Sequence, residues 1–382
     1  MRKICVVIGS RANYSSIKSA MRAIQNHKEL SLQVVAAASA LLDRYGSVVD
    51  LMEQDGFEIN ARLYMLIEGE TPSTMAKSTG VGLMELPTIF EMLKPDIVLT
   101  VGDRFETMAT TLAAAYMNIP IAHSMGGEVS GTIDESIRHA VTKFAHIHFP
   151  ASKGAAIRIA KLGERDEDIH LVGCPRMDLV AEILAAPHNV GNQIFQEGVG
   201  ASVDIDQPFV MVSQHPVTTE YGAGEAQIFE TLTAVHKTGL PAIILWPNSD
   251  AGSEDISRGI RKWRELGLSN RMHYFKNLPT AIYIQLMAKT ACLVGNSSSG
   301  IREGAFIGTP VVNIGSRQDM RERGSNVVDA DHKAKHIYDS IMGQLKHGPY
   351  EHEPIYGDGS AGKRIANILS TCSWKIQKRI VY

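Results

Sequence analysis

Short apolar runs alternate with longer amphipathic stretches along the chain, and this alternation constrains the fold more than any other feature of the sequence. It is typical of parallel α/β units, in which strands and helices follow one another. The predicted strands are Lys3–Ile8, Leu32–Ala38, Ile97–Val101, Ile119–Ala122 and His146–Phe149, then Phe209–Ser213, Ala242–Trp246, Met272–Phe275, Cys292–Gly295 and Val311–Ile314. The predicted helices include Ser15–His27, Phe105–Met117 and Ile133–Ala145.

The length of 382 residues exceeds that of one ordinary hydrophobic core. The tripeptide GCP at 173–175 and the polar stretch 185–208 separate the two series of strands. We therefore predict two Rossmann-like halves of similar size, joined near residue 175, with a central cleft. Ligands of such sheets bind at the carboxyl ends of the strands.

The composition excludes several classes of function. A net charge of −3 argues against a general role at nucleic acid or at a membrane surface. The apolar run before Gly9 is only five residues long, which predicts a first strand and not a signal peptide. The four cysteines form no CxxC pair, which indicates reduced thiols, a cytoplasmic location, and neither disulfides nor a zinc site.

Polar clusters follow six of the predicted strands. They are GSRANYSS (9–16), GDRFE (102–106), HSMGGEVSGTIDESIRH (123–139), SQHPVTTE (213–220), WPNSDAGS (246–253) and GNSSSGIREG (295–304). One such loop is explained by the ordinary polarity of loops. Six loops that carry Arg, His, Asp, Glu and small residues at strand ends predict one cleft that faces a polar ligand.

Four elements are candidates for binding an anion: Arg11, His215, the Ser297–Ser299 turn and Arg317. A strand that runs through a serine turn into a helix presents free backbone N–H groups, which suit phosphate, although a simple capping serine explains the turn as well. Arg11 follows a strand and precedes a helix, where it either grips a diphosphate or forms a surface ion pair. His215 is a structural loop histidine or a donor to a phosphate or leaving group.

The carboxylates indicate proton transfer. Asp103 follows a strand end, and Glu128 lies among glycines, where a ligand can approach the backbone closely. Thr132 and Glu135 have the spacing of a capping box, which leaves Asp134 either to face the cleft or to complement the helix dipole. Several carboxylates in one cleft without a metal-ligand pattern point to acid–base catalysis.

The competing motifs are weak. His146 and His148 would share a strand face, but two histidines are an incomplete metal site. His332 and His336 fit a solvated helix face. The sequence contains neither GxxxxGK[ST] nor a strand-anchored GxGxxG, so an ATPase or a nicotinamide enzyme is not expected, and we predict no cofactor and no metal.

Taken together, the motifs resemble those of the hydrolysing UDP-N-acetylglucosamine 2-epimerases of the sialic-acid pathway. The motifs are GSRANY, VGDRFE, GGEVSGTIDESIRHAVTKFAHIHF, QHPVTTE, PNSDAGS, GNSSSGIREG, GTPVVNIGSRQ and YGDGSAGKRI. The resemblance implies a GT-B-like architecture: a sugar-side domain at 1–175, a UDP-binding domain at 176–362, and a terminal helix at 363–382 that packs back on the first domain. It also implies a UDP-sugar substrate and a homodimer or homotetramer.

The resemblance assigns roles residue by residue. The turn of Ser297, Ser298, Ser299 and Gly300 would hold the diphosphate, and Glu303 would take the ribose hydroxyls. Further positions implied in binding the nucleotide sugar are Arg11, Arg104, His215 and Arg317. Positions 258 and 261, both arginine here, are implicated in feedback inhibition by CMP-sialic acid in vertebrate relatives, although a solvated basic helix face explains Arg258 and Arg261 equally well.

The implied reaction is elimination of UDP from UDP-GlcNAc to give a 2-acetamidoglycal, followed by hydration to free ManNAc. Asp103 and Asp134 match two acid–base carboxylates of the family. The sequence departs from the family at Met125, where some relatives carry a third carboxylate. A thioether transfers no proton, so the relay is expected to run through Asp103, Asp134 and either Glu128 or His123.

Four alternatives remain open from the sequence. A GT-B glycosyltransferase would share the fold and the diphosphate site. A non-hydrolysing epimerase would return UDP-ManNAc, and a nucleotide-sugar-binding regulator would lack catalysis. The apolar Met125 also suits UDP-2,4-diacetamido-2,4,6-trideoxyglucose as the substrate, because a buried wall without polar partners disfavours hydroxyl-rich rings.

Overall fold

The structure, a computed structural model, describes residues 1–69, 71–130, 133–186, 190–217, 220, 222–247, 252–276 and 278–381. The strands are β1 (Arg2–Ile8), β2 (Leu30–Ala37), β3 (Ile59–Leu63), β4 (Ile97–Val101), β5 (Ile121–Ser124), β6 (Ile147–Phe149), β7 (Val199–Gly200), β8 (Val210–Ser213), β9 (Ala242–Leu245), β10 (Met272–Phe275), β11 (Cys292–Gly295), β12 (Val311–Ile314) and β13 (Val327–Ala330).

The α-helices are α1 (Arg11–Gln25), α2 (Val48–Gln54), α3 (Pro72–Leu93), α4 (Phe105–Tyr116), α5 (Ile133–Phe144), α6 (Lys153–Lys161), α7 (Pro175–Ala185), α8 (Gly224–Lys237), α9 (Ser253–Glu265), α10 (Thr280–Lys289), α11 (Ser298–Ile301), α12 (Glu303–Ile307), α13 (Ala334–His347) and α14 (Ala361–Thr371). Short 3₁₀ helices lie at Ala38–Leu41, Asp43–Tyr45, Asp166–Asp168 and Asn192–Gln196. Within the described residues, no helix has both the length and the apolar character that a bilayer-spanning helix needs.

The chain forms two compact units. Unit 1 comprises Met1–Val129, Ile133–Leu179 and Tyr356–Tyr382, and unit 2 comprises Ser130–Thr132 and Val180–Ile355. Each contains one sheet, with strand order β3-β2-β1-β4-β5-β6 in unit 1 and β13-β12-β11-β8-β9-β10-β7 in unit 2. All pairs are parallel except β10–β7. The predicted α/β class with two Rossmann-like domains is confirmed.

In each sheet the strand order reverses at one place, between β1 and β4 in unit 1 and between β8 and β11 in unit 2. Both neighbours at each reversal are almost wholly buried apolar strands, because helices cover both faces of a doubly wound sheet. The loops that leave these strands at their carboxyl ends diverge to opposite faces, and the crevice between them is the usual ligand site of the fold.

Several predicted boundaries are correct, and two shifts have clear causes. Helix α1 begins at Arg11 and not at Ser15, because the Ser10 hydroxyl caps it by accepting a hydrogen bond from the Asn13 amide at 3.2 Å. Strand β5 begins two positions later than predicted, at Ile121. The Ile119 amide instead donates to the Ala114 carbonyl of α4, at 2.9 Å.

The C-terminal segment belongs to unit 1. The chain enters this unit again at Tyr356, whose carbonyl accepts a hydrogen bond from the Cys174 amide at 2.7 Å. Helix α14 packs on α1 so closely that a Cβ on Gly362 would lie 2.7 Å from the Ser19 backbone. The Asp178 carboxylate accepts hydrogen bonds from the Ala361 and Gly362 amides at 2.9 and 2.7 Å, and so caps the helix.

Lys378, in the C-terminal segment, joins a charge cluster in unit 1 that is built around the buried Glu164. The Glu164 carboxylate lies 3.1 Å from His148 Nε2, 2.5 Å from Lys143 Nζ and 2.6 Å from Lys378 Nζ. Burial opposes ionisation of Glu164, but the hydrogen bonds from these three groups outweigh it and lower the pKa of the carboxyl from 4.5 to about 2. Lys378 therefore fixes the tail to the interior of unit 1.

Candidate functional site

The carboxyl ends of β1 and β4 carry several of the predicted site residues of unit 1. Arg11 is the first residue of α1 and is exposed, just beyond the end of β1. Asp103 and Arg104 lie in the turn between β4 and α4. The turn is possible because Gly102 adopts a φ of +75°, which favours glycine. These three residues thus follow the two strands at which the strand order of unit 1 reverses.

A buried arginine that the sequence analysis missed holds Asp103 in place. Arg138 projects from α5, its side chain is 2% exposed, and its Nη2 donates to the Asp103 carboxylate. Its Nη1 donates to the Glu128 carbonyl at 2.8 Å. One guanidinium therefore joins the loop after β4 to the loop after β5, and it fixes a carboxylate that is only 25% exposed.

His123, in β5, joins the loop after β4 to helix α5. Its Nε2 lies 2.9 Å from the Gly102 carbonyl and its Nδ1 lies 3.2 Å from Thr142 Oγ1. Complete burial lowers the pKa of the imidazole from 6.5 to about 4, although the hydrogen bond to Gly102 opposes the shift. His123 is therefore neutral at physiological pH and positions the backbone beside Asp103.

The turn after β5 is tightly constrained. Met125 adopts the left-handed region with a φ of +66°, which is uncommon for a residue with a side chain. A Cβ on Gly127 would lie 2.3 Å from the Ala155 carbonyl, and Arg158 Nη1 donates to the Gly127 carbonyl at 2.7 Å. The Met125 side chain is 7% exposed, and its sulfur lies 3.8 Å from the Cys174 sulfur.

A second overlooked residue is Glu106, although its motif GDRFE was recognised. It lies in the first turn of α4 and is 3% exposed, and its Oε1 is 3.3 Å from Arg104 Nε. Burial raises the pKa of its carboxyl above the ordinary 4.5; the Arg104 charge opposes this shift, and the charges of Asp103 and Asp134 add to it. Asp134 itself lies in the first turn of α5, as predicted.

In unit 2, Asn296 joins the predicted anion-binding residues. Its side-chain oxygen accepts from the His215 amide at 2.7 Å, and its side-chain nitrogen donates to the His215 carbonyl at 2.9 Å. Its own carbonyl accepts from Arg317 Nη1 at 3.2 Å and from Gln318 Nε2 at 2.8 Å. The loops after β8, β11 and β12 are thus locked together at the reversal of strand order.

The serine turn adopts the predicted conformation. The Ser297 side chain caps the short helix α11, and its hydroxyl lies 2.9 Å from the Ser299 hydroxyl, which is 2.5 Å from the Tyr283 hydroxyl. Gly295 is required before the turn, because a Cβ there would lie 2.2 Å from the Ser213 carbonyl. Beyond the turn, Ser298 and Gly300 lie in α11, and Glu303 opens α12 with its side chain buried.

The remaining predicted residues lie elsewhere. Arg258 and Arg261 project from α9 and form surface ion pairs, Arg258 with Asp255 at 2.9 Å and Arg261 with Glu254. The prediction of a helix face for both His332 and His336 is wrong for the first, because α13 begins after it, at Ala334.

The structure describes the histidine pair His146 and His148 but not the predicted capping box. His146 Nδ1 accepts from the Ile121 amide, and His148 contacts Glu164. No group of three metal-ligating side chains occurs in the part of the chain that the structure describes. Thr132, and with it the proposed capping box, lies outside the described residues.

Comparison with known proteins places this site in context. The sequence profile of UDP-N-acetylglucosamine 2-epimerases matches residues 22–370. A UDP-N,N'-diacetylbacillosamine 2-epimerase (hydrolyzing) from Legionella pneumophila is 33% identical over 371 residues, which cover 97% of this chain and 96% of that protein. A UDP-N-acetylglucosamine 2-epimerase from Neisseria meningitidis is 27% identical over 390 residues, covering 100% of this chain and 99% of that protein.

The fold has the same relatives. The crystal structure of UDP-GlcNAc 2-epimerase from Neisseria meningitidis bound to UDP-GlcNAc matches with a TM-score of 0.82 at 18% identity, covering 96% of this chain and 99% of that one. The Staphylococcus aureus MnaA–UDP structure matches with a TM-score of 0.78 at 20% identity, covering 97% and 96%. The fold of this chain is accordingly GT-B-like.

Proposed function

This chain belongs to the UDP-N-acetylglucosamine 2-epimerase family, and we propose that it is a hydrolysing member that converts UDP-GlcNAc to ManNAc and UDP. In the proposed reaction a base removes the C2 proton of the sugar while the bond from C1 to the diphosphate breaks, which gives a 2-acetamidoglycal. Water then adds to C1, and a proton returns to C2 on the opposite face.

The observation that carries this proposal is the fixed carboxylate of Asp103. The C2 proton is poorly acidic, so its removal needs a base held in one geometry. The guanidinium of Arg138, itself buried, donates to Asp103, and neutral His123 fixes the Gly102 carbonyl one residue earlier. We assign Asp103 and Asp134 to the two proton transfers, and Glu128, whose carbonyl Arg138 also holds, to the same acid–base group.

Unit 2 is proposed to hold the nucleotide. The loop of Ser297, Ser298, Ser299 and Gly300 would bind the diphosphate, and Glu303 the ribose. Asn296 supports this assignment because it fixes His215 and Arg317 beside the serine turn. A cation and a proton donor next to the diphosphate would stabilise the charge that develops as UDP leaves. Arg11 and Arg104 of unit 1 are proposed as further residues that bind the nucleotide sugar.

Release of the free sugar distinguishes this proposal from its rivals. The Legionella relative is named as a hydrolyzing enzyme, as is a Campylobacter jejuni relative that is 29% identical over 332 residues. A non-hydrolysing epimerase would return the nucleotide-linked sugar, and a glycosyltransferase would need an acceptor.

A second candidate substrate is UDP-2,4-diacetamido-2,4,6-trideoxyglucose, which is UDP-N,N'-diacetylbacillosamine. The Legionella and Campylobacter relatives are named for this sugar. In this chain the buried Met125 and Cys174 sulfurs lie against each other, so the position of the family's third carboxylate is apolar. Such a surface suits a 6-deoxy sugar better than a hydroxyl-rich ring.

The test is to incubate the protein with each nucleotide sugar alone and to follow the products by NMR. We expect UDP and a free manno-configured sugar, with deuterium at C2 when the reaction runs in D₂O and with the water oxygen at C1. Retention of the original C2 hydrogen, or a product still linked to UDP, would contradict the proposal. The ratio of kcat/KM for the two sugars then decides the substrate.

A further inference from the structure

Glu106 lies deep in unit 1 at the reversal of strand order. Its side chain is 3% exposed and lies over the end of β1, where a Cβ on Gly9 would come within 2.2 Å of its Cγ. A glycine at position 9 is therefore needed to admit the Glu106 side chain. A long acidic side chain in such a place is costly unless it has a role, because burial disfavours the charged form.

The contacts of the carboxyl group are few and one-sided. Oε1 lies at ion-pair distance from Arg104 Nε, 3.3 Å away, and neither oxygen has a hydrogen bond to any residue that the structure describes. The charged groups that act on it are Arg104 and Asp103 in the loop after β4 and Asp134 on α5, while Gly9, the uncharged residue that follows β1, lies against its side chain. Two of the three charges are negative.

We propose that Glu106 is a positioning residue that works as a neutral carboxylic acid, which orients the Arg104 guanidinium from the interior without neutralising it. A neutral acid 3.3 Å from Arg104 Nε limits where the guanidinium can lie and, being uncharged, does not compete for it with an anionic ligand such as a diphosphate. An ionised Glu106 would instead compete with that ligand and add a third negative charge beside Asp103 and Asp134. The inference rests on the proposed function of this site in binding a nucleotide sugar.

The proposal predicts a pH effect with a definite sign. Burial raises the pKa of Glu106 above its ordinary value, so this carboxyl keeps its proton to a higher pH than an exposed glutamate does, and it ionises as the pH rises further. We therefore expect the affinity for UDP and for the UDP-sugar to fall at alkaline pH. The variant Glu106→Gln, which cannot ionise, should lack this part of the dependence.

The decisive experiment compares two variants of similar volume. Glu106→Gln keeps a polar carbonyl oxygen beside Arg104 Nε, whereas Glu106→Met fills the same space with an apolar group. We expect Glu106→Gln to keep kcat/KM within about threefold, and Glu106→Met to raise KM about tenfold with kcat changed much less. In an Arg104→Ala background, the difference between the two variants should vanish.

Several results would overturn the proposal. Equal KM values for the Gln and Met variants would reduce Glu106 to a packing residue, and a difference that persists without Arg104 would show that it does not act through that arginine. If Glu106→Met fails to fold by circular dichroism, the pH profile of Glu106→Gln decides, and a profile identical to that of the wild type refutes the proposal. Calorimetric titration with UDP measures the affinity of each variant without turnover. A failure of the proposed reaction can then be told apart from a failure of the proposal for Glu106.

Discussion

Replacement of Arg138 by methionine tests the central contact of unit 1. The substitution keeps much of the apolar stem of the side chain but removes the guanidinium that donates to the Asp103 carboxylate and, at 2.8 Å, to the Glu128 carbonyl. The Asp103 carboxylate and the Glu128 carbonyl then lose the buried guanidinium that donates to them. We expect Arg138→Met to lower stability and catalysis together, because the same group supports the fold of the two loops and the orientation of Asp103.

The magnitude follows from the burial of the pair. Removal of one partner of a buried ion pair costs about 3–5 kcal/mol. Asp103 is 25% exposed, so water solvates part of the abandoned charge and the lower end applies, about 3 kcal/mol. For a unit of this size, that loss corresponds to a fall in Tm of about 6–12 °C. Loss of the fixed geometry should lower kcat about a hundredfold.

Arg158→Met is the matched control. Arg158 also donates to a carbonyl of the turn after β5, that of Gly127 at 2.7 Å, but the structure gives it no carboxylate partner among the described residues. Arg158→Met should lower the free energy of unfolding by about 1 kcal/mol and change kcat by less than threefold. Thermal unfolding and UDP release measured on both variants decide the matter. If the two arginine variants behaved alike in Tm and kcat, the reasoning about Asp103 would be refuted.

Three further predictions concern single groups. Asp103→Asn should lower kcat for UDP release about a hundredfold or more, with a much smaller change in KM; a loss confined to KM would assign Asp103 to binding. In the wild type, His123 is protonated near pH 6.5 in the unfolded state but only near pH 4 in the folded state. As the pH is lowered from 6.5 to 4, the free energy of unfolding should therefore fall by up to about 3 kcal/mol. Urea unfolding of His123→Gln should lack that portion of the decline, and an unchanged pH dependence would contradict it. Glu164 contributes stability above pH 4.5 that is lost as the pH falls towards 2, so Glu164→Gln should destabilise unit 1 at pH 7 and progressively less in acid.

The local elements of the fold could be predicted from the sequence wherever one pattern dominates. Strands β4, β10, β11 and β12 have the predicted bounds because they are short apolar runs with clear boundaries. Helix α3 was not predicted, since Gly80, Gly82 and Pro87 interrupt its pattern, although tertiary packing against α4 sustains it.

The site could be predicted in its parts but not in its connections. The candidate residues at strand ends could be listed from the sequence because a parallel fold brings the carboxyl ends of its strands to one edge of each sheet. Arg138 was missed because its partner, Asp103, is 35 positions away and lies on a different element, so no local pattern marks the pair. Glu106 was missed because its environment depends on Gly9 and on the charges around it.

The path of the chain through unit 1 has a consequence for biosynthesis. Unit 1 takes its final helix and Lys378 from Tyr356–Tyr382, whereas nearly all of unit 2 is the continuous stretch Val180–Ile355. A ribosome therefore synthesises the whole of unit 2 before it makes the helix that covers α1 around Ser19. Unit 1 therefore cannot complete its packing until residues 356–381 have been made, and until then the apolar face of α1 is a surface that chaperones are suited to shield.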